Sequence, residues 1–227
     1  YLIKHRLIYK WLPLSLVYRI FVPQNNDVEI AFIEGFATKL LSHSTNRNAR
    51  KIAWIHTDLK NNHWTKSVFR SMEEEFKSYQ RFIEVVGVSN TVKDAFLKEF
   101  IKVTVPVQTL YNPINSQEII SMANEELVSR PQGLLLVTVG RLESQKGYDR
   151  LIYVVKRLID EGYKFVLWIL GIGSQKEMLQ EYIRENHIED SVKLLGFHSN
   201  PYKYMVKADL FICSSRSEGY STAVTEA

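Results

Sequence analysis

Leu134-Leu-Leu-Val-Thr-Val139, Gly140-Arg-Leu-Glu-Ser-Gln-Lys-Gly147, Tyr148 to Asp160 and Phe165-Val-Leu-Trp-Ile-Leu170 follow one another in the second half of the chain, and their reading decides the fold. The first and last of these are continuous apolar runs of the length expected for strands buried on both faces. Between them Tyr148, Leu151, Ile152, Val155 and Ile159 recur at three- and four-residue steps, which makes one apolar stripe on a helix. Asp149, Arg150, Lys156, Arg157 and Asp160 fall mostly off that stripe. Gly162 supplies the expected stop.

Working outward, the pattern predicts a helix near 174–186, a short strand over 192–195, a helical piece after Pro201, a strand over 209–213 and a helix starting near Ser221. Four successive β-α units imply a parallel sheet with helices on both faces, and ligands of such folds bind outside the carboxyl ends of the strands. The first half repeats the theme less cleanly, with strands expected over 28–33, 51–55, 82–88 and 107–110. The fold class is therefore α/β with two Rossmann-like units. Residues 1–112 form the first, the polar stretch 113–132 with Pro113 and Pro131 connects, and 133–227 form the second. Residue 227 falls inside a helix with no stop signal and the first unit has few strands, so an internal portion of a longer protein is expected.

Composition narrows the class. At 45% hydrophobic and 24% charged residues the chain is globular rather than disordered. Four of the 29 Lys and Arg, namely Lys4, Arg6, Lys10 and Arg19, precede the first acid, Asp27, so the other 25 meet 25 acids and the body is neutral. A body without net charge disfavours general nucleic-acid binding, which spreads cations over a whole face. The single Cys213 lies in an apolar run and reads as a buried structural thiol in a reducing compartment. No apolar run reaches the roughly 18–20 residues that span a bilayer.

Three segments carry candidate chemistry. Arg141 and Lys146 lie on the loop leaving the strand at 134–139, and two cations five residues apart can straddle a diphosphate. The loop is not a P-loop, since Gly-x-x-x-x-Gly-Lys-Ser/Thr is lacking. Gly171-Ile-Gly173 resembles the start of a dinucleotide fingerprint without its third glycine, and reads as a tight strand-to-helix turn. Glu218 and Glu226 are separated by about 12 Å of helical rise, too far to act as one acid/base pair but suited to gripping two ends of an elongated polyol. The amides of Tyr220 to Thr222 lie between them at a helix start, with Ser221 as the N-cap.

Taken together, Val139-Gly-Arg-Leu through Gln-Lys-Gly147, Leu195-Gly-Phe-His-Ser-Asn-Pro-Tyr202, Ala208-Asp209 and Glu218 with Glu226 eight positions on resemble the retaining, nucleotide-sugar-dependent glycosyltransferases of group 1 (family 4). Trp54-Ile-His-Thr-Asp58, Val88-Ser89 and Tyr111-Asn-Pro113 extend the resemblance into the first half. It implies the GT-B fold, two Rossmann-like parallel-sheet domains facing a cleft, both incomplete in this chain. It also implies that Arg141 and Lys146 hold the donor diphosphate with help from Gly219, Tyr220, Ser221 and Thr222. Glu226 would bind the ribose, Glu218 would orient the transferred sugar, the Gly196, Phe197 and His198 turn would place the base, and His56 would reach toward the sugar and β-phosphate.

The implied reaction moves a sugar from a nucleoside-diphosphate sugar to a glycan or lipid-linked acceptor with retention, as in surface polysaccharide, lipopolysaccharide or capsule biosynthesis. No cofactor is implied. A metal at His56, Asp58 and His63 is not expected, because cations already neutralise the diphosphate. Gly219-Tyr220-Ser221 departs from the family's usual Gly-Phe-Gly, which bears on the donor sugar. A nucleotide-sugar epimerase, or a binding module without turnover, are the alternatives. The stripe Ile3, Leu7, Trp11, Leu14 and Phe21 beside the four early cations, with Lys10 inside it and Pro13 interrupting it, reads either as one or two ordinary helices packed on the first unit or as an interfacial helix. The second reading makes an anionic membrane surface a partner and implies a cytoplasmic protein peripheral on the inner face of the membrane.

Overall fold

β5 (Leu134–Val139) and β6 (Phe165–Leu170) pair in parallel along their whole length, Leu134 opposite Phe165 through Val139 opposite Leu170. Apart from the exposed Leu134 and the half-buried Val139 and Val166, their side chains are buried because helices cover the sheet, as the continuous apolar runs require. In the computed structural model, which describes residues 12–125 and 128–227, the chain divides into two units, one ending at Asn112 and the other beginning at Pro113.

The first unit contains α1 (Leu14–Phe21), β1 (Val28–Ala31), α2 (Phe36–Leu41), β2 (Arg50–Ile55), a 3-10 turn (Trp64–Ser67), α3 (Met72–Tyr79), β3 (Glu84–Gly87), α4 (Asn90–Glu99) and β4 (Val107–Thr109). Its strands form a parallel sheet in the order β1-β2-β3-β4. Ser71 and Ser89 accept from the third amide of α3 and α4 respectively, which satisfies a backbone donor at each helix start.

The second unit contains α5 (Ser116–Ala123), β5, a 3-10 turn (Ser144–Lys146), α6 (Tyr148–Asp160), β6, α7 (Lys176–Glu185), β7 (Val192–Gly196), α8 (Tyr202–Met205), β8 (Leu210–Phe211) and α9 (Thr222–Glu226). Its sheet is parallel with order β7-β6-β5-β8. The stretch 113–132, read from sequence as a connection, holds α5, which packs on α8. One sheet face packs Leu151, Ile152 and Val155 of α6 and Leu179 and Ile183 of α7 onto Leu167 and Ile169. The other packs Trp168 and Leu170 against Tyr204 and Met205.

Two departures concern the ends of elements. β8 stops at Phe211, the Ile212 amide still donates to the Val137 carbonyl of β5 at 2.8 Å, and the chain then turns so that Ser214 meets the Ser144–Lys146 turn, which leaves Cys213 exposed rather than buried in a strand. Residues 1–11 lie outside the described residues, so the apolar stripe expected there is described only from Leu14 onward. Within α1, which begins after Pro13, the buried side chains are Val17 and Tyr18, while Phe21 is exposed. Among the described residues no helix is long and apolar enough to cross a membrane.

Candidate functional site

The carboxyl ends of β5, β6, β7 and β8 carry loops that are bonded to one another. The Gly171 amide at the end of β6 donates to the Gly196 carbonyl at 2.7 Å, and the Leu142 amide after β5 donates to the Ile172 carbonyl at 2.9 Å. The β6 exit passes so close to the β5 exit that a Cβ on Gly171, whose φ is +145°, would stand 1.9 Å from the Gly140 carbonyl oxygen. Gly171-Ile-Gly173 is thus a tight turn made by close backbone approach, as read from sequence, and it fixes the floor under the β5 loop.

Gly147 plays the matching part on the other side. Its left-handed backbone, φ +68°, starts α6, and a Cβ there would lie 2.3 Å from the Ser214 carbonyl oxygen. The loop after β8 is thereby laid directly along the turn that carries Lys146. Ser214 Oγ donates to the Lys146 carbonyl at 2.8 Å, the Arg216 amide donates to the Gln145 carbonyl at 2.7 Å, and Gln145 Nε2 donates to the Ser217 carbonyl at 2.9 Å.

This seam brings two expected site residues into contact. Lys146 Nζ lies 2.7 Å from Glu218 Oε1, and Ser215 Oγ donates to the same oxygen at 2.6 Å; both charged side chains are about four-fifths buried. Lys146, Tyr148, Ser214, Ser215 and Ser221 share the lining of a pocket of about 10 Å³, near the least volume that holds one water. The Tyr148 phenol above them is pushed up to about 12, first by burial.

The other expected residues distribute around this pair. Arg141 is exposed on the same loop, near Glu143, whose carboxyl is held below its ordinary range by the amide and hydroxyl of Ser174 and also by Arg141. Gly219 and Tyr220 are half-buried in the turn before α9, and Thr222 is exposed at the helix start. Ser221 occupies the N-cap position with extended ψ of 97°, but its side chain makes no cap bond, contrary to the sequence reading. The Glu226 carboxylate stands beside Tyr202, whose phenol is raised first by burial and then by this carboxylate. At the end of β7, Gly196 is left-handed and Phe197 is 69% exposed. The His198 ring is tied by Nε2 to the Leu195 carbonyl at 3.2 Å and by Nδ1 to the Tyr204 hydroxyl at 3.1 Å.

His56 belongs to the first unit, directly after β2. Its amide donates to Glu34 Oε2 at 2.9 Å, its ring meets Phe32 edge-on at 5.0 Å, and Nε2 is buried with no hydrogen-bond partner. Asp58 and His63 do not join it. Asp58 accepts from Lys60 and Asn61 within its own turn, and His63 bridges Glu75 at 2.9 Å and Glu99 at 3.1 Å. Among the described residues no group of three or more His, Cys, Asp or Glu side chains could hold a metal ion.

Sequence reasoning missed the groups that position Lys146 and Glu218. Arg216 makes a two-pronged pair with Asp149, at 2.8 and 2.6 Å, while Nη1 also donates to the Ser144 carbonyl at 2.7 Å. The Asp149 carboxyl is held below its ordinary range, chiefly by that guanidinium. These partners are 67 and 72 residues apart, so no local pattern announces them.

Comparison with known proteins places this architecture. Residues 123–227 match the family model described as glycosyl transferases group 1. The chain is 38% identical over 119 residues to N-acetylgalactosamine-N,N'-diacetylbacillosaminyl-diphospho-undecaprenol 4-alpha-N-acetylgalactosaminyltransferase of Campylobacter jejuni, covering 52% of this chain and 31% of that protein. It is 25% identical over 215 residues to an uncharacterized glycosyltransferase of Methanocaldococcus jannaschii, covering 91% and 52%. The chain thus spans 31% and 52% of these relatives' lengths. Among solved structures, Anabaena HepE in complex with UDP superposes with a TM-score of 0.73 at 16% identity over 94% of this chain and 60% of that one. TarM does so with 0.70 at 18% identity over 94% and 41%. Residues 123–227 thus match the group 1 glycosyl transferase model, and the chain carries two parallel-sheet α/β units with the GT-B fold of its structural neighbours.

Proposed function

We propose that the protein transfers a sugar from a nucleoside-diphosphate sugar to a glycan or lipid-linked acceptor, with retention of anomeric configuration, in the assembly of a surface polysaccharide. The observation that carries this reading is the Lys146–Glu218 pair, held at the carboxyl edge of a parallel sheet where such folds bind ligands. A cation and a carboxylate that neutralise each other can separate onto the two halves of a donor. Lys146, with Arg141 on the same loop, faces the diphosphate, and Glu218 accepts from sugar hydroxyls.

In such a transfer charge develops on the departing diphosphate, so fixed cations stabilise the transition state more than the ground state. The leaving phosphate itself takes the acceptor's proton on the face it vacates, which gives retention without a dedicated base. Glu226 serves the ribose and the Gly196–His198 turn serves the base through its main chain, leaving the exposed Phe197 ring to stack. In the first unit His56 keeps a buried, unpartnered Nε2, the group that the resemblance assigns to the sugar. The relatives agree in kind: one is named for a diphospho-undecaprenol acceptor, and others for lipopolysaccharide core and amylovoran biosynthesis.

Purified protein incubated with uridine and guanosine diphosphate sugars, with and without a lipid-linked acceptor, tests this. Acceptor-dependent release of nucleoside diphosphate with an axial product linkage from an axial donor is expected, and Glu218→Gln should abolish it. Conversion of the sugar without acceptor, or binding without release, would contradict it.

A further inference from the structure

The turn at the end of β7 is held by a histidine of its own. Where β7 runs beside β6 the register slips by one, Ile169 facing Leu194 and Leu170 facing Gly196, so Leu195 is the extra residue of a β-bulge with no opposite number on β6. Gly196 then turns the chain in a left-handed conformation, φ +79°, and its carbonyl is taken by the Gly171 amide. The His198 ring comes back to this turn, and its Nε2 meets the Leu195 carbonyl at 3.2 Å. A carbonyl only accepts, so Nε2 carries the hydrogen, and Nδ1 of the neutral ring is left to accept from the Tyr204 hydroxyl at 3.1 Å.

Tyr204 is anchored in turn. Its ring lies 4.4 Å from the His198 ring and meets the Trp168 ring edge-on at 5.6 Å, and Trp168 is buried in β6 beside Leu135, Val137 and Leu170. A continuous run of contacts thus leads from the sheet interior to the turn, through Trp168, Tyr204 and His198 to Leu195. Both imidazole nitrogens are used in it, so the ring has none to offer a ligand. The residue it brackets is the opposite case: Phe197 is exposed, and among the described residues no hydrogen bond within the chain engages its amide or carbonyl. A nucleobase read by main-chain groups binds better when they are fixed beforehand, because a mobile turn must lose its freedom at the moment of binding. We propose that His198 is a positioning residue for the nucleobase, its imidazole locked as the Nε2–H tautomer between Leu195 and Tyr204 so that the Phe197 backbone is presented in one shape. This rests on the reading that the 196–198 turn serves the base, and it adds Tyr204 of α8 to the residues on which base binding depends.

Calorimetric titration of the whole chain with uridine diphosphate, guanosine diphosphate and inorganic pyrophosphate tests it, because pyrophosphate reports on the Arg141 and Lys146 loop without a base. His198→Ala should weaken the preferred nucleoside diphosphate about tenfold and Tyr204→Phe about fivefold, the range of one lost hydrogen bond, while pyrophosphate affinity stays within about twofold. The double variant H198A/Y204F should be no weaker than His198→Ala alone, since both act through one contact. His198→Gln, whose amide offers a donor and an acceptor as this tautomer does, should recover to within about threefold of the unaltered protein. A general loosening of the unit would instead lower pyrophosphate affinity and the thermal midpoint together, and that result would overturn the proposal. So would an unchanged nucleoside diphosphate affinity in His198→Ala or in Tyr204→Phe, with the base reading left standing. Were the unaltered protein to bind neither nucleoside diphosphate more tightly than pyrophosphate, the base reading itself would fail and the proposal with it.

Discussion

In the first unit Glu29, Glu34 and Glu75 are at most 3% exposed, whereas Thr138 is the single buried polar residue described in the second. Each of the three carboxylates is tied to the chain around it. Glu29 accepts from the Tyr18 hydroxyl, Glu34 from the His56 amide and Trp64 Nε1, and Glu75 from Thr65 Oγ1 at 2.7 Å and from His63. Burial, then Glu75 and Glu34, hold the Tyr79 phenol well above its ordinary range. The second unit has an apolar interior and keeps its charges on the strand-end loops, where Lys146, Glu218, Arg216 and Asp149 interlock. The difference teaches where charge is structural and where it is available to a ligand. A carboxylate sunk in a core holds the fold, while a paired charge at a sheet edge can exchange its partner.

That contrast can be broken at either end. The largest effect should come from His63→Ala, which removes one partner of the fully buried Glu75 and should cost about 3–5 kcal/mol, read as early loss of hydrogen-exchange protection in the first unit. Unchanged protection would mean the buried carboxylates contribute little. Lys146→Ala should lower kcat/KM about 10²–10³-fold with its thermal midpoint unmoved, the reverse signature. Gly147→Ala, forced against the Ser214 carbonyl in a left-handed backbone, should cost about 1–3 kcal/mol and also weaken turnover, because it displaces the loop carrying Glu218.

The smallest effect should follow Arg216→Ala, because a solvent-screened pair contributes little to stability. Asp149 is ionised more readily folded than unfolded, so this pair adds stability above the ordinary carboxylate value of about 3.9 and loses it as pH falls through the folded-state value. Arg216→Ala should therefore flatten the acid side of the stability profile and leave the basic side alone.

Much of the fold was legible because buried parallel strands leave an unmistakable local mark. The runs 134–139 and 165–170 are strands with those bounds, and the α6 stripe buries Tyr148, Leu151, Ile152 and Val155. Less legible were ends decided by distant contacts. Asp209 reads as the start of a strand, yet its carboxylate accepts from the Leu135 amide at 2.8 Å, and the chain soon turns away, exposing Cys213. Lys146 and Glu218 each stood out as candidate site residues, but their contact was not legible, since it depends on a loop laid across another by Gly147. The clustering of Glu34, Glu75 and His63 was likewise hidden, because buried ionic groups follow no period.

The account rests on Lys146 leaving Glu218 for a donor diphosphate, and calorimetric titration of the donor nucleotide sugar into the unaltered protein, Lys146→Ala and Glu218→Gln tests it most directly. The predicted result is a loss of at least about tenfold in affinity for Lys146→Ala, with the thermal midpoint unchanged. Equal donor affinity in all three proteins would contradict it.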